Sequence, residues 1–283
     1  MSIELAVKYS PKVDELFAAE SKIALCTNTD YDFDGAHTVK VYKVSTAELN
    51  NYQRNYTGAQ GETEQLSRFG TLKDLGASVE TLLLSNDRSF IFNIDKLDNN
   101  ETAGALAAES ALAREIREVV IPEIDTYTFA EMVDNAGTTE EETLTKSNVY
   151  DAILAGSEVL DENNVPETER ILIVSPTTYK LIKQDIKESG NAVSEELRLN
   201  GVVAVLDGMS VIKVAAAKLP AGTNFIIAHP SATVAPLKLE DFGVHDDTPL
   251  SSGSIVTGRI VYDAFILDNK AMGIYASMSE SES

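Results

Sequence analysis

Apolar and polar positions recur with two different periods along this chain, and the places where the period changes mark its parts. Between residues 10 and 25, Val13, Leu16, Phe17 and Leu25 fall near one helical face, with Ser10 placed to cap and Pro11 suited to the first turn. An acidic turn, Asp30-Tyr31-Asp32-Phe33-Asp34-Gly35, comes before a predicted strand over residues 38–44. Residues 50–76 are rich in Asn, Gln, Gly and Thr and poor in aliphatic side chains. Structureless loops beyond about 15 residues usually have a function of their own. Two strands, 79–84 and 89–95, return from it, and in the second Phe90, Phe92 and Ile94 alternate with residues of the other face. The pattern predicts a long excursion out of a sheet and back.

Helical spacing resumes after Asp98 and Glu101, which have capping-box separation. Leu106, Ala113, Ile116 and Val120 form the apolar stripe of a helix running to residue 121. Pro122 has no N–H to donate and should kink or briefly interrupt the helix, which Ile124, Tyr127 and Met132 then continue. Gly137 closes the segment, and residues 138–143 read as an acidic turn. A bent helix of about thirty residues is far longer than the usual one of about 12. Helix 148–160, strand 170–174 and helix 176–187 follow. Strands 202–206 and 209–214 flank Asp207-Gly208, a hairpin signal, and strand 225–228 completes an α/β block. Residues 232–239, 255–267 and 271–276 read as extended, with Asp268-Asn269-Lys270 joining the last two as a hairpin, and 278–283 as a polar tail. No internal repeat is present.

A hydrophobic content of 43% over 283 residues suits one large α+β domain or two modest ones. The single cysteine, Cys26, excludes an intrachain disulfide framework and any multi-cysteine zinc site. No apolar run approaches the roughly 20 residues of a membrane span. Met1-Ser2-Ile3-Glu4 lacks the basic start of a signal peptide, so a soluble, cytoplasmically made protein is expected. The 45 acidic residues against 23 basic ones give a net charge of -22, and the sequence holds no Lys/Arg cluster that would grip a phosphate backbone.

Candidate chemistry is thin. Asp30, Asp32, Asp34 and Gly35 imitate the start of a calcium loop, but the twelfth position is Val41 instead of the bidentate Glu such a loop needs. His37, His229 and His245 lack the i, i+4 spacing of a helical zinc site. His245-Asp246-Asp247 has no nucleophile-elbow serine to serve, and Gly58, Gly61, Gly70 and Gly76 do not have phosphate-loop spacing. Glu140, Glu141 and Glu142 read as a solvated turn, and the sequons at Asn55 and Asn100 carry no weight without a secretion signal. No catalytic, cofactor or metal residue is assigned.

Five segments, in this order, carry a resemblance: Tyr9-Ser10-Pro11-Lys12-Val13-Asp14-Glu15; Asp87-Arg88-Ser89-Phe90 with Ile94-Asp95-Lys96; Val120-Ile121-Pro122-Glu123-Ile124-Asp125; His229-Pro230-Ser231-Ala232-Thr233-Val234-Ala235-Pro236; and Gly258-Arg259-Ile260-Val261-Tyr262-Asp263-Ala264-Phe265. With the order of elements, they make the chain resemble the tailed-phage major capsid proteins of the HK-ninety-seven-like fold. The resemblance implies an N-terminal arm (1–36), an extended loop with supporting strands (37–96), a peripheral domain with the spine helix (97–144 and 236–277), an axial domain (145–235) and a tail (278–283). It implies hexamers and pentamers of this chain closing into an icosahedral shell around double-stranded DNA in the host cytoplasm. It also implies a portal protein at one vertex, with scaffolding and decoration proteins as further partners. Interface residues expected from it are Tyr9, Val13 and Phe17 on the arm and Tyr52, Arg54, Tyr56, Arg68, Phe69 and Lys73 on the loop. Two alternatives are a nanocompartment shell of the same fold with protein cargo, which gene neighbours would separate, and a soluble α/β enzyme with its site in 145–235.

Overall fold

The computed structural model describes residues 21–28, 38–52, 54, 68–70, 74, 76–96, 108–188, 205–245 and 252–280. The chain divides into two compact units, Phe33–Leu84 and the remainder, Met1–Asp32 with Ser85–Ser283. The smaller unit is a hairpin of β1 (Thr38–Val44) and β2 (Ala77–Leu83), antiparallel, with Thr38 opposite Leu83 and Val44 opposite Ala77. Lys43 and Glu80 form an ion pair of 2.8 Å across it.

The larger unit runs β3 (Asn86–Asp95), α1 (Ala108–Glu115), α2 (Ile121–Asp134), β4 (Thr138–Glu141), α3 (Val149–Glu162), β5 (Ile171–Val174) and α4 (Pro176–Glu188). It continues with β6 (Val205–Leu206), β7 (Met209–Lys213), β8 (Thr223–Ala228), β9 (Thr233–Val234), β10 (Leu237–His245), β11 (Gly253–Tyr262), β12 (Phe265–Ile266) and β13 (Ile274–Met278). Six strands form one sheet in the order β4-β13-β8-β5-β7-β6. Strand alternation sends their side chains to opposite faces. Ile171, Ile173, Ile226, Ala228, Ile274 and Ala276 pack with Phe129, Met132 and Val133 of α2. Leu172, Val174, Phe225, Ile227 and Tyr275 pack with Val149, Ile153 and Leu160 of α3 and Ile182 of α4. The sheet is buried on both faces, which is why β5 reads as an unbroken apolar run, Ile-Leu-Ile-Val.

A second, three-stranded antiparallel sheet, β10-β11-β3, packs one face on the other part of the spine: Val120, Ile124 and Tyr127 meet Phe90, Phe242, Ile260 and Tyr262. The rings of Tyr127 and Tyr262 meet edge to face at 5.6 Å. The spine helix therefore carries two sheets, one along each end.

The α-helix is briefly interrupted just ahead of Pro122 and then continues, as expected. Residues Ile116–Val120 form a single widened turn, in which Ile121 donates to the Ile116 carbonyl, and α2 follows directly with Pro122 in its first turn. A proline ring crowds the carbonyl four residues back and leaves it without a donor, and a widened turn relieves both problems. Two expectations are corrected, and a third in part. The acidic turn at 138–143 begins as β4, a strand made by parallel pairing with β13, Tyr275 lying opposite Thr138. Residues Asp268–Gly273 form a 3-10 turn, and the flanking strands enter different sheets, β12 pairing with β9 and β13 with β8 and β4, so no hairpin exists there. Of the helix expected over 10–25, Ile23–Leu25 is a 3-10 turn and residues 10–20 lie outside the described ones. The Asp207-Gly208 hairpin is as expected, with both residues at positive φ, 48° and 73°.

Candidate assembly surfaces

Beyond the last rung of β1 and β2 the two chain segments stay side by side. Ser45 donates from both its N–H and its Oγ to the Gly76 carbonyl at 2.9 Å. Further out Gly70, at φ 97°, lies against the Asn50 side chain, where a Cβ would fall 2.6 Å from Asn50 Cγ. Further still the rings of Tyr52 and Phe69 meet edge to face at 5.2 Å. Yet Tyr52 is 53% exposed, Phe69 76%, and Leu49 and Val44 stand open beside them. Arg54 and Arg68 are exposed as well. Isolated exposed apolar residues are ordinary, but a run of them on one hairpin marks a surface waiting for a partner. Of the residues singled out from the sequence, Tyr52, Arg54, Arg68 and Phe69 are on this hairpin unit; Tyr9, Val13, Phe17, Tyr56 and Lys73 lie outside the described residues.

Residues 21–28 are held from within. Ile23 and Cys26 are buried against Phe129 and its neighbours, and burial pushes the Cys26 thiol up to about 12. Asn28 donates from its N–H to the Thr233 carbonyl and from Nδ2 to that of Ser231, both at 2.9 Å. Ser21 Oγ donates to Asp125 Oδ1 at 2.6 Å, and Lys218 Nζ meets Oδ2 of the same buried carboxylate at 2.6 Å. Charge buried in this way persists only when paired and hydrogen-bonded.

Two further buried polar centres hold the frame. Asp263 accepts from Tyr127 OH, from the Ala264 N–H, and from the N–H and Oγ of Ser85, all at 2.7–2.8 Å. Arg170, 3% exposed, donates to the carbonyls of Val165 and Pro166 and pairs with Asp161 at 2.7 Å. His229 holds a local turn. Its Nδ1 accepts from the Ser231 N–H at 3.2 Å and lies 2.8 Å from Ser231 Oγ, capping the short turn Pro230–Ala232, and burial lowers its pKa. His245 Nε2 lies 3.1 Å from Thr257 Oγ1. Among the described residues no three His, Cys, Asp or Glu side chains gather to hold a metal, and no helix is long and apolar enough to cross a membrane. The polar groups here are braces for packing, and the open surfaces are the places where something remains to be covered.

The same fold is found in phage shells. A chain from Mycobacterium phage Che8 superposes with a TM-score of 0.76 at 16% identity, covering 96% of each chain. A capsid chain of the cyanophage P-SCSP1u gives 0.74 at 12% identity over 98% of this chain and 93% of its own. One from the mature capsid of bacteriophage PhiM1 gives 0.73 at 12% identity over 99% and 93%. The architecture is thus the α+β, HK-ninety-seven-like one expected from the sequence. A family profile described as phage capsid protein matches residues 86–277, more than half of the chain, and the chain belongs to that family. It is a major capsid protein, a structural subunit of the virion shell that assembles with copies of itself. No curated protein matches the sequence.

Proposed function

We propose that this capsid subunit forms hexamers and pentamers that close around double-stranded DNA, with a portal at one vertex, and that it acts without catalysis. Assembly takes place in the host cytoplasm, with scaffolding and decoration proteins as auxiliary partners. The observation that carries this reading is the capsid-family match over residues 86–277. The hairpin unit supports it, because exposed apolar side chains such as Leu49 and Phe69 suit a surface that meets a partner.

In this reading residues 1–36 are the arm, 37–96 the extended loop and its strands, 97–144 with 236–277 the peripheral domain, 145–235 the axial domain and 278–283 the tail. Tyr52, Arg54, Tyr56, Arg68, Phe69 and Lys73 lie across a neighbouring copy, and Tyr9, Val13 and Phe17 add an arm contact. Each contact is modest, and repetition over a closed shell makes the sum large. Deletion of residues 52–75 is expected to leave a folded monomer that no longer forms stable shells, as read by negative-stain electron microscopy beside size-exclusion chromatography. Normal shells from that variant would remove the loop from the interface.

A further inference from the structure

The six-stranded sheet carries opposite charge on its two edges. Edge strand β4 presents Glu140 and Glu141, Glu142 follows, and Glu280 lies within 3.4 Å of Thr143 beside them. Lys146 is the one basic residue described in the turn that follows. At the far edge β7 ends on exposed Lys213, next to β6 with its exposed Val205. Lys213 Nζ lies 5.4 Å from the centre of the Tyr179 ring, and Lys183 Nζ of α4 lies 5.5 Å from it. Lys180 is exposed on the same helix. Lys213 also lines, with Lys22 and Lys218, a cavity of about 40 Å³ bordered by Phe129 and Asp125. Asp125 is engaged by Lys218; Asp207 lies in the β6–β7 turn, Asp185 and Glu188 are on α4, and Glu169 precedes Arg170, whose carbonyl accepts from the Ser210 N–H of β7. Four lysines remote in sequence, Lys22, Lys183, Lys213 and Lys218, are thus linked through Lys213 in a chain whose net charge is -22.

Strand register sets the two groups in line. Glu140 lies opposite Ser277, Ser277 opposite Phe225, Phe225 opposite Val174, and Val174 opposite Lys213. Four strand spacings of about 4.8 Å separate the acidic end of that row from its basic end by roughly 19 Å. A two-fold contact between like edges would set carboxylates against carboxylates or lysines against lysines. A head-to-tail contact sets one against the other, and head-to-tail contacts repeated by rotation close rings. We propose that the β4 edge of one copy docks on the β6–β7 edge and the α4 lysines of the next. The sheet's charge polarity would then give the capsomer ring its direction. This rests on the shell-subunit reading above. Copies that repel at long range through their net charge need such a matched patch to approach in one orientation.

The test is a charge swap in the full chain, assembled under the conditions that give wild-type shells. Lys213→Glu and Glu141→Lys each place like charges at the contact and are expected to lower the assembled fraction, read by light scattering and electron microscopy, at least about tenfold. The double variant restores opposite charges and should recover most of the loss. Circular dichroism of each variant separates failure to assemble from failure to fold, and Lys180→Glu serves as a second probe if Lys213→Glu does not fold. Single variants that assemble like the wild type, or a double variant no better than its parents, overturn the inference and leave the capsid reading intact. Unchanged shells that retain less DNA after Lys213→Glu would also overturn it, assigning the lysines to nucleic acid. A wild-type chain that gives neither rings nor shells, even beside its neighbouring gene products, would instead sink the reading beneath it.

Discussion

Asp263 joins three parts of the chain through one carboxylate. Its partners are Ser85 just ahead of β3, Tyr127 on the spine helix and the backbone of Ala264 ahead of β12. Truncation to alanine leaves these donors without an acceptor in a buried place. Asp263→Ala is expected to cost about 3 kcal/mol, seen as a lower urea midpoint at unchanged slope. The buried tyrosines add a pH signature. Burial first, then hydrogen bonds to Asp263 and Glu123, raises Tyr127 and Tyr262 from 10.0 to about 12, and burial with Glu140 raises Tyr275 further. The native state therefore holds these protons more tightly than the unfolded chain. The stability they lend is complete below about pH 10 and is lost as pH climbs through about 12. Urea midpoints should hold to about pH 10 and then fall, less steeply in Tyr127→Phe; a flat profile would contradict this. Tyr52 and Phe69 were legible as aromatics in a polar stretch, and the structure sets their rings together. Asp263 and Asp125 were not legible, because a carboxylate reads the same in a sequence whether water or a tyrosine surrounds it.

Among the elements, periodicity identified the ones whose burial is one-sided or complete. β1 is found over the expected residues, α3 and α4 within two residues of their expected ends, and the Asp207-Gly208 hairpin in place. β4 escaped because four residues, Thr-Thr-Glu-Glu, have no strand pattern of their own and become a strand only by pairing with β13. The widened turn ahead of Pro122 escaped because the proline announces a defect without saying which way the backbone absorbs it. The lysine edge escaped too, since its members come from the segment ahead of Ile23, α4, β7 and the turn at Ala216–Lys218. Packing between α3 and the sheet is close at Gly156, where an added Cβ would fall 2.8 Å from Ile227 Cδ1 and 2.9 Å from the Tyr275 ring. Gly156→Ala gains about 1 kcal/mol of helix propensity and overpacks this contact at a cost of about 1–3 kcal/mol. A net lowering of the thermal midpoint is expected, and a raised midpoint would show that α3 can move away freely.

At the scale of the whole molecule, the family was legible because several unremarkable segments occur in one order, none of them a catalytic signature. Physical reasoning from composition reached only an acidic α+β protein with one long loop, since an interface between copies leaves little mark in one copy's sequence. The six-stranded sheet brings a different consequence. β13 sits second from its edge, between β4 and β8, although it follows every other strand in the chain. A chain still on the ribosome can pair β5 with β7 and β8, but it has nothing on which to hang β4 until residues 274–278 have emerged. The acidic edge thus comes into being last in synthesis. If the β4 edge is the docking edge proposed above, a half-made subunit has no completed edge to offer a neighbour, and the order of the strands in the chain holds assembly behind translation.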